Sequence, residues 1–340
     1  MSNKTYFITL TPHQLFFFGT EQGQTADYFV KGSFLPQQTA LLGLVRHQVL
    51  LQNDLMQNNK ITDDTEASKW IGGKSFEYDK ENDFGKIKSV SPCYLVKKDG
   101  DEAKTKLLPF HQSYCKNLKR LSANFFLPEY DPKQYYHDVW LSLDKTKSVC
   151  NSDCMIYEEV TKPGVDKNYN GKTEEDDNAF YKQVWLKMKK GFSFGFYIVI
   201  KDDVTFKTAE VNFGKESAPF QMEVLQTQNT EVFDDEENPT ALMLTSDTYS
   251  VDNILNLTDF AVTDTVPFRN IVNTTSKNTP YYSFDNRLSR KSTVRLQLYK
   301  RGSIFFATRE KLEQIKTAID EQTSFKNIGF NHYHLLNISY

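Results

Sequence analysis

Basic side chains set beside aromatic ones, at the ends of short apolar runs, carry the clearest chemistry in this sequence. RLSRKS places Arg287, Arg290 and Lys291 ahead of the alternating segment TVRLQLY, and YKRGS places Lys300, Arg301 and Gly302 behind it. LKMKKG adds Lys187, Lys189 and Lys190. Arginine and lysine hold phosphate oxygens, while aromatic faces such as Tyr281, Tyr282, Phe284 and Tyr299 stack bases. Together they form what a single-stranded RNA platform needs. A glycine after an arginine also lets backbone approach a phosphate closely. Each cluster alone reads as solvated surface; three of them at strand and turn edges point to RNA.

A second candidate anion site lies in KGSFLPQQTALLGLVRHQVLL, residues 31–51. Gly32 and Ser33 permit a tight turn, Pro36 fixes φ, and Thr39 is the candidate N-cap of a helix. Leu41, Leu42, Leu44, Val45, Val49 and Leu50 cover more than half of the helix girth, so it must be packed on most sides. Gly43 calls for a close backbone neighbour, since glycine costs about 1 kcal/mol against alanine in a helix interior. Arg46 is the one strong charge. It either joins the turn and the helix start in holding an anion, or snorkels to solvent.

Other chemistries find less support. GKT at 171–173 lacks the glycine five residues earlier, where Asp166 stands, and EEDD follows where a phosphate-cradling helix would begin, which excludes a nucleotide-hydrolysing loop. His332 and His334 share a face of one strand but lack an identifiable partner for acid–base work, and read as surface or edge-strand imidazoles. Cys150 and Cys154 form a C-x3-C pair with no second pair, and Cys93 and Cys115 complete a set too small for a disulfide scaffold; reduced thiols are expected. Asp202 and Asp203 are adjacent and diverge along a strand, a poor geometry for sharing a metal.

The elements that must position these groups follow from the pattern. A chain of 340 residues with 39% hydrophobic and 14% aromatic residues is long enough for two cores. The net charge of -3 means that any RNA contact comes from local patches. No apolar run approaches 18 residues, so a soluble, cytoplasmic protein is expected. Residues 4–10 alternate as a strand with Tyr6, Ile8 and Leu10 on one face, and residues 52–68 read as a polar surface loop. Residues 84–110 read as a hairpin turning at Asp99 and Gly100. DPKQYYHDVWLSL reads as a helix with Tyr136, Val139, Trp140 and Leu143 inward. KKGFSFGFYIVI is a central strand, AEVNFGKESAPFQMEVL a hairpin opening a second domain, and ALMLTSDTY a strand. Residues 253–277 read as irregular with one short strand. Two strands, a helix with Leu312, Ile315 and Ile319 inward, and a last strand close the chain.

The strand and loop YFITLTPHQLFFFG, the Gly-Ser turn, the Pro-x-x-Thr helix start and the Gly-x-x-Arg helix resemble the N-terminus of the RAMP superfamily. Within it, the match is to the third-subunit family of the Cmr complex, the type III-B CRISPR effector. RGSIFFA before the last helix and NIGFNHY at the end follow in that family's order. PGVDKNYNGKTEEDDNAFY resembles the RAMP β-hairpin known as the thumb. Phe18 stands where that family often has arginine, and Asn331 and His332 stand where it usually has a second glycine.

The resemblance implies an α+β fold of two ferredoxin-like (RRM-like) βαββαβ modules with insertions. Residues 1–203 would form the first, with insertions at 53–150 and the thumb at about 160–182, and 204–340 the second. It implies a non-catalytic subunit, without metal or cofactor, that holds the 5′ tag of CRISPR RNA. Such a subunit bridges the large cyclase/polymerase subunit and a backbone RAMP subunit, and meets target RNA only through the assembly. Gly32, Ser33, Thr39 and Arg46 would contribute to the tag site. Lys162, Lys167, Lys172 and Thr173 of the thumb would face the guide. Sister readings are the tag-capping RAMP of another type III complex and a RAMP endonuclease that processes CRISPR RNA; an unrelated one is a carbohydrate- or surface-binding module.

Overall fold

Strands apolar on both faces organise the molecule. The structure, a computed structural model, describes residues 2–20, 29–58, 60–73, 76–99, 103–110, 139–142, 148–151, 156–165, 180–228, 238–269, 271–273, 289–291 and 294–337. The chain begins with β1 (Asn3–Pro12), β2 (Phe29–Lys31), α1 (Gln38–Gln52), β3 (Met56–Gln57), β4 (Lys60–Ile61) and α2 (Asp64–Ile71). Next come β5 (Ile87–Val90), β6 (Tyr94–Asp99), β7 (Ala103–Phe110), β8 (Val139–Ser142) and β9 (Ser148–Cys150). The hairpin β10 (Tyr157–Val165) and β11 (Phe180–Met188) leads to β12 (Phe192–Lys201), β13 (Ala209–Phe213) and β14 (Ala218–Thr227). Then follow β15 (Ala241–Leu244), β16 (Phe260–Val262), β17 (Thr265–Phe268), β18 (Ile271–Asn273) and β19 (Ser289–Lys291). The chain closes with β20 (Leu296–Tyr299), β21 (Ile304–Phe306), α3 (Arg309–Asp320), α4 (Thr323–Lys326) and β22 (Tyr333–Leu336). The fold is α+β, rich in sheet and sparing in helix.

One sheet runs β13-β14-β1-β12-β6-β7-β8-β9, with β5 beside β12, and a second runs β16-β21-β15-β22. Period-two alternation sends Ile8, Leu10, Phe194, Phe196 and Leu95 to one side of the first sheet, where they pack with Leu41, Val45 and Val49 of α1. The opposite side presents Phe7, Tyr94, Val96 and Tyr197 to Met243, Ile304, Phe306 and Leu336 of the second sheet. The far side of the second sheet, Leu242, Leu244, Phe305 and Leu335, is covered by Leu312, Ile315 and Ile319 of α3. The layers are therefore helix, sheet, sheet, helix. Each fully buried Leu, Ile or Phe contributes about 1.5–3 kcal/mol.

Several sequence-based expectations change here. Residues 52–68 are not all loop: they hold the β3–β4 hairpin and the start of α2, whose N-cap Asp63 accepts from the amides of Thr65 and Glu66. Val139 and Trp140 sit in strand β8, not a helix; the residues before 139 lie outside the described set. Asp99 pairs with Ala103, so three residues separate the strands at that turn instead of two. Residues 253–277 hold three short strands and a single 3-10 turn, Ile254–Leu257. Hairpin β13–β14 pairs with β1, so the first sheet continues past residue 203, where the second domain was expected to start. Thr39 does not cap α1, because the N-cap position falls on Gln37, which makes no side-chain cap bond. Gly43 faces open space with no close backbone neighbour. Among the described residues, no helix is long and apolar enough to cross a membrane.

Candidate nucleic-acid interface

A third, small sheet, β10-β11-β2, brings the thumb-like hairpin against the Gly-Ser turn. The turn leaves β2 at Lys31, and Ser33 N–H donates to Phe18 O at 2.8 Å. Gly32 is required there: a Cβ would lie 2.8 Å from Phe18 O and 3.1 Å from the Phe17 ring. The backbone of the next residues then enters α1, where the buried Gln38 amide donates to Ser91 O (3.0 Å) and Gly329 O (2.8 Å). This ties the helix start to the segment before β6 and to the segment before β22.

Beside the turn opens a cleft of about 350 Å³, to which Gly32, Ser33, Lys300 and Arg301 all contribute. Residues almost 270 positions apart thus meet in one place. Aromatic rings form part of its wall: Phe34 and Tyr157 are part-exposed, and the buried Trp140, Phe268 and Phe330 stand behind them with Pro109 and Pro267. Phe34 stacks on Tyr157 at 4.5 Å between centroids and meets Trp140 edge-on at 5.6 Å. Trp140 is 3% exposed, and among the described residues its Nε1–H has no acceptor. Glu159 reaches the cleft from β10 and lies 3.9 Å from Lys31 Nζ.

The basic turn behind β20 divides its charges. Arg301 is spent on Asp247: its backbone N–H and Nε donate to Oδ1 at 2.9 and 3.0 Å, and Nη2 donates to Oδ2 at 2.7 Å. Burial alone would raise the Asp247 carboxyl, but the Arg301 charge and hydrogen bonds outweigh it and hold the carboxyl below its ordinary range. The guanidinium is correspondingly held up by Asp247 against its own burial. Arg301 is therefore a wall of the cleft and not a free phosphate ligand. Gly302 is buried with φ +85°, and its N–H donates to Leu244 O at 2.7 Å. The turn demands glycine for that left-handed conformation, and its amide is not available to a phosphate. Lys300 keeps its ammonium half-exposed, 3.9 Å from Asp264.

Arg46 is not part of this cleft. Its guanidinium lies 5.8 Å from the Phe84 ring centroid, and burial, partly offset by Asp83, lowers its pKa to about 10. Thr39 lies in the second position of α1, outside the cleft lining. Lys162 projects from the hairpin on its other face, 4.5 Å from the Trp185 ring centroid. Arg290 and Lys291 lie in β19, paired with β18. Lys167, Lys172, Thr173 and Arg287, with Tyr281, Tyr282, Phe284, Cys154 and the GKT segment, lie outside the described residues. His334 is 2% exposed and not a surface imidazole. His332 Nε2 donates to Lys326 O at 3.1 Å, and burial lowers its pKa to about 4. Asn331 takes φ +58° where the resembling family has a second glycine, a conformation asparagine tolerates. Among the described residues no three His, Cys, Asp or Glu side chains gather as metal ligands.

The sequence did not single out Phe34, Trp140, Tyr157, Glu159 or Asp247 as site residues. The apolar run VWL, β-branched and aromatic, is a strand signal that could have placed Trp140. Nothing local marks Asp247, whose partner is 54 residues away.

No protein-family model and no curated protein sequence matches the chain. Two solved structures share its fold. One is a chain from the Type III-B Cmr-beta bound to cognate target RNA and AMPPnP, with a TM-score of 0.53 and 14% identity, covering 96% of this chain and 95% of that one. The other, from the Type III-B Cmr-beta bound to cognate target RNA, has a TM-score of 0.52 and 13% identity over 97% and 99%. The fold is thus similar to that of a chain of the Type III-B Cmr-beta, in line with the sequence resemblance.

Proposed function

We propose that this chain is an RNA-binding component of a type III CRISPR effector, and that it holds the 5′ tag of the CRISPR RNA without cleaving it. The observation that carries this is the cleft, where the Gly-Ser turn and the Lys300 turn converge around stacked aromatic rings. Phe34 and Tyr157, the part-exposed rings of the cleft, offer faces to a base, and a half-exposed ammonium with backbone turns suits one strand passing by. Full-length similarity in fold to Cmr-beta chains supports the same assignment.

Two ferredoxin-like modules would frame the cleft. The order β14-β1-β12-β6 supports the first, since it sets the fourth, first, third and second strands of a βαββαβ unit side by side with α1 after β1. The order β22-β15-β21-β16 repeats it, with α3 between β21 and β22. Hairpin β10–β11 would be the thumb. The chain would bridge the large cyclase/polymerase subunit and the first backbone subunit, and would reach target RNA only within the assembly.

Photocrosslinking tests this. A CRISPR RNA with 4-thiouridine in its tag, mixed with the full chain, is expected to label peptides containing Phe34, Tyr157 or Phe268 and to remain intact. Labelling confined to other peptides would overturn the cleft as the tag site. Metal-independent cleavage, lost when His332 and His334 become Ala, would replace the binding role with an endonuclease.

A further inference from the structure

The cleft carries an acidic group that a strand of phosphates does not call for. Among the described residues two carboxylates line it, Asp247 and Glu159, and the first is committed to Arg301. The Glu159 side chain is 52% exposed, and the charge facing it is Lys31 Nζ, 3.9 Å away on a side chain 66% exposed. An ion pair so open to solvent is weak and readily exchanged for another contact. A carboxylate in the path of a polyanion repels each phosphate that passes. Its place in such a cleft makes sense where it accepts hydrogen bonds from the bases.

Position supports that use. Glu159 follows Tyr157 by two residues on the same side of β10, opposite Leu186, and all three line the cleft. Same-side neighbours on a strand stand about 7 Å apart. Tyr157 is stacked on Phe34 at 4.5 Å with the ring planes 24° apart, and both rings are part-exposed. A base lying against that pair presents its polar edge to the carboxylate. The rings are indifferent to which base they hold, because every base has a π-face. Identity is decided at the edge.

A carboxylate has two acceptor oxygens and no proton to give, so it selects an edge with two adjacent N–H donors. Guanine has such an edge: its N1–H and its N2 amino group point the same way and meet both oxygens in a two-bond fork. Adenine and cytosine each set one amino group beside a bare ring nitrogen, whose lone pair the carboxylate repels. The N3–H of uracil stands between two carbonyl oxygens, which repel it from both sides. We propose that Glu159 reads a guanine in the strand held by the cleft, accepting N1–H and N2–H on its two carboxylate oxygens. The proposal rests on the RNA-binding role argued above and adds a base preference to it.

The test is fluorescence anisotropy of the full chain with short labelled RNAs, uridine throughout or carrying a single guanosine, inosine, adenosine or cytidine. The guanosine strand should bind about 5- to 100-fold more tightly than the uridine, adenosine and cytidine strands, as for one bidentate side chain–base pair. Inosine, which lacks only the N2 amino group, should fall between guanosine and adenosine. In Glu159→Ala the preference should vanish, while the all-uridine RNA binds as well as before or better, since a negative charge has left the path of its phosphates. Equal weakening on every RNA would make Glu159 a structural residue and overturn the proposal. An unsubstituted chain that binds all the strands alike also overturns it, and leaves the cleft standing as a site indifferent to sequence. An unsubstituted chain that binds none of them overturns the RNA-binding role, and the guanine reading with it.

Discussion

The inner and outer faces of the β10–β11 hairpin carry opposite chemistry on the same two strands. Glu159 and Tyr157 turn towards an aromatic cleft that already contains a neutralised Arg301–Asp247 pair. Lys162, with Gln183 opposite it on the ladder, turns the other way, where Glu158 is paired with Lys189. Alternation along a strand thus sets an aromatic cleft on one side of a single hairpin and lysines over buried rings on the other. A chain of net charge -3 would, as the RNA binder proposed above, need only a few local cations beside the rings of the cleft.

The comparison breaks most severely at Asp247. Asp247→Ala leaves the Arg301 guanidinium buried without its partner, which should cost about 3–5 kcal/mol in chemical denaturation. Replacing both with apolar residues of similar size should recover much of that loss.

Acid should act first at His332, whose ring lies against Lys326 in the segment before β22. Burial holds the His332 pKa at about 4, against about 6.5 in an unfolded chain, so the unfolded state binds the extra proton between those values. Stability is intact above pH 6.5 and falls as pH drops to 4, by roughly 3 kcal/mol in total. Urea unfolding of wild type and His332→Gln across that window should show the variant with the flatter profile. The depressed Asp247 carboxyl acts further down: its contribution is present above the ordinary carboxylate range and is lost as pH falls through its lowered value.

Ring removal separates the two faces by kind of effect. Tyr157→Ala takes away the partner stacked on Phe34 and should weaken RNA binding by about 1–3 kcal/mol with an unchanged salt slope. A slope that changed with it would mean that the cleft also neutralises phosphate. Arg46→Met gives the smallest expected effect. Its guanidinium lies over Phe84 away from both faces, so RNA affinity should stay the same and stability should shift by about 1 kcal/mol or less. An affinity loss there would restore Arg46 to the tag site that the sequence suggested.

Much of the frame was legible because strands advertise their period. β1, β12 and the β6–β7 hairpin show alternation or a continuous apolar run, and α3 shows a helical stripe. Helix α2 was hidden because only Ala67 and Ile71 are buried along it, although Asp63 followed by Glu66 is a capping pattern. The site was half legible. Gly32, Ser33 and Lys300 were found from local chemistry, but Arg301 could be recognised as paired only once Asp247 was placed beside it. The orphan donors Trp140 and Gln183 are properties of packing, and no spacing in the chain announces them.

The pairing of β1 with β12 and β14 has a consequence for how the protein is made. Thr5 to Leu10 find partners at residues 194–199, and Thr5 to Pro12 find another set at 220–227. At about 5–20 residues per second of synthesis, the first strand waits roughly 10–40 s before its second neighbour has been added. During that time its apolar side chains and both hydrogen-bonding edges lack their native cover. Non-local pairing of this kind folds slowly. The ribosome-bound chain is therefore a natural client for chaperones, and substitutions that stabilise β14 should raise the yield of folded protein more than they slow its unfolding.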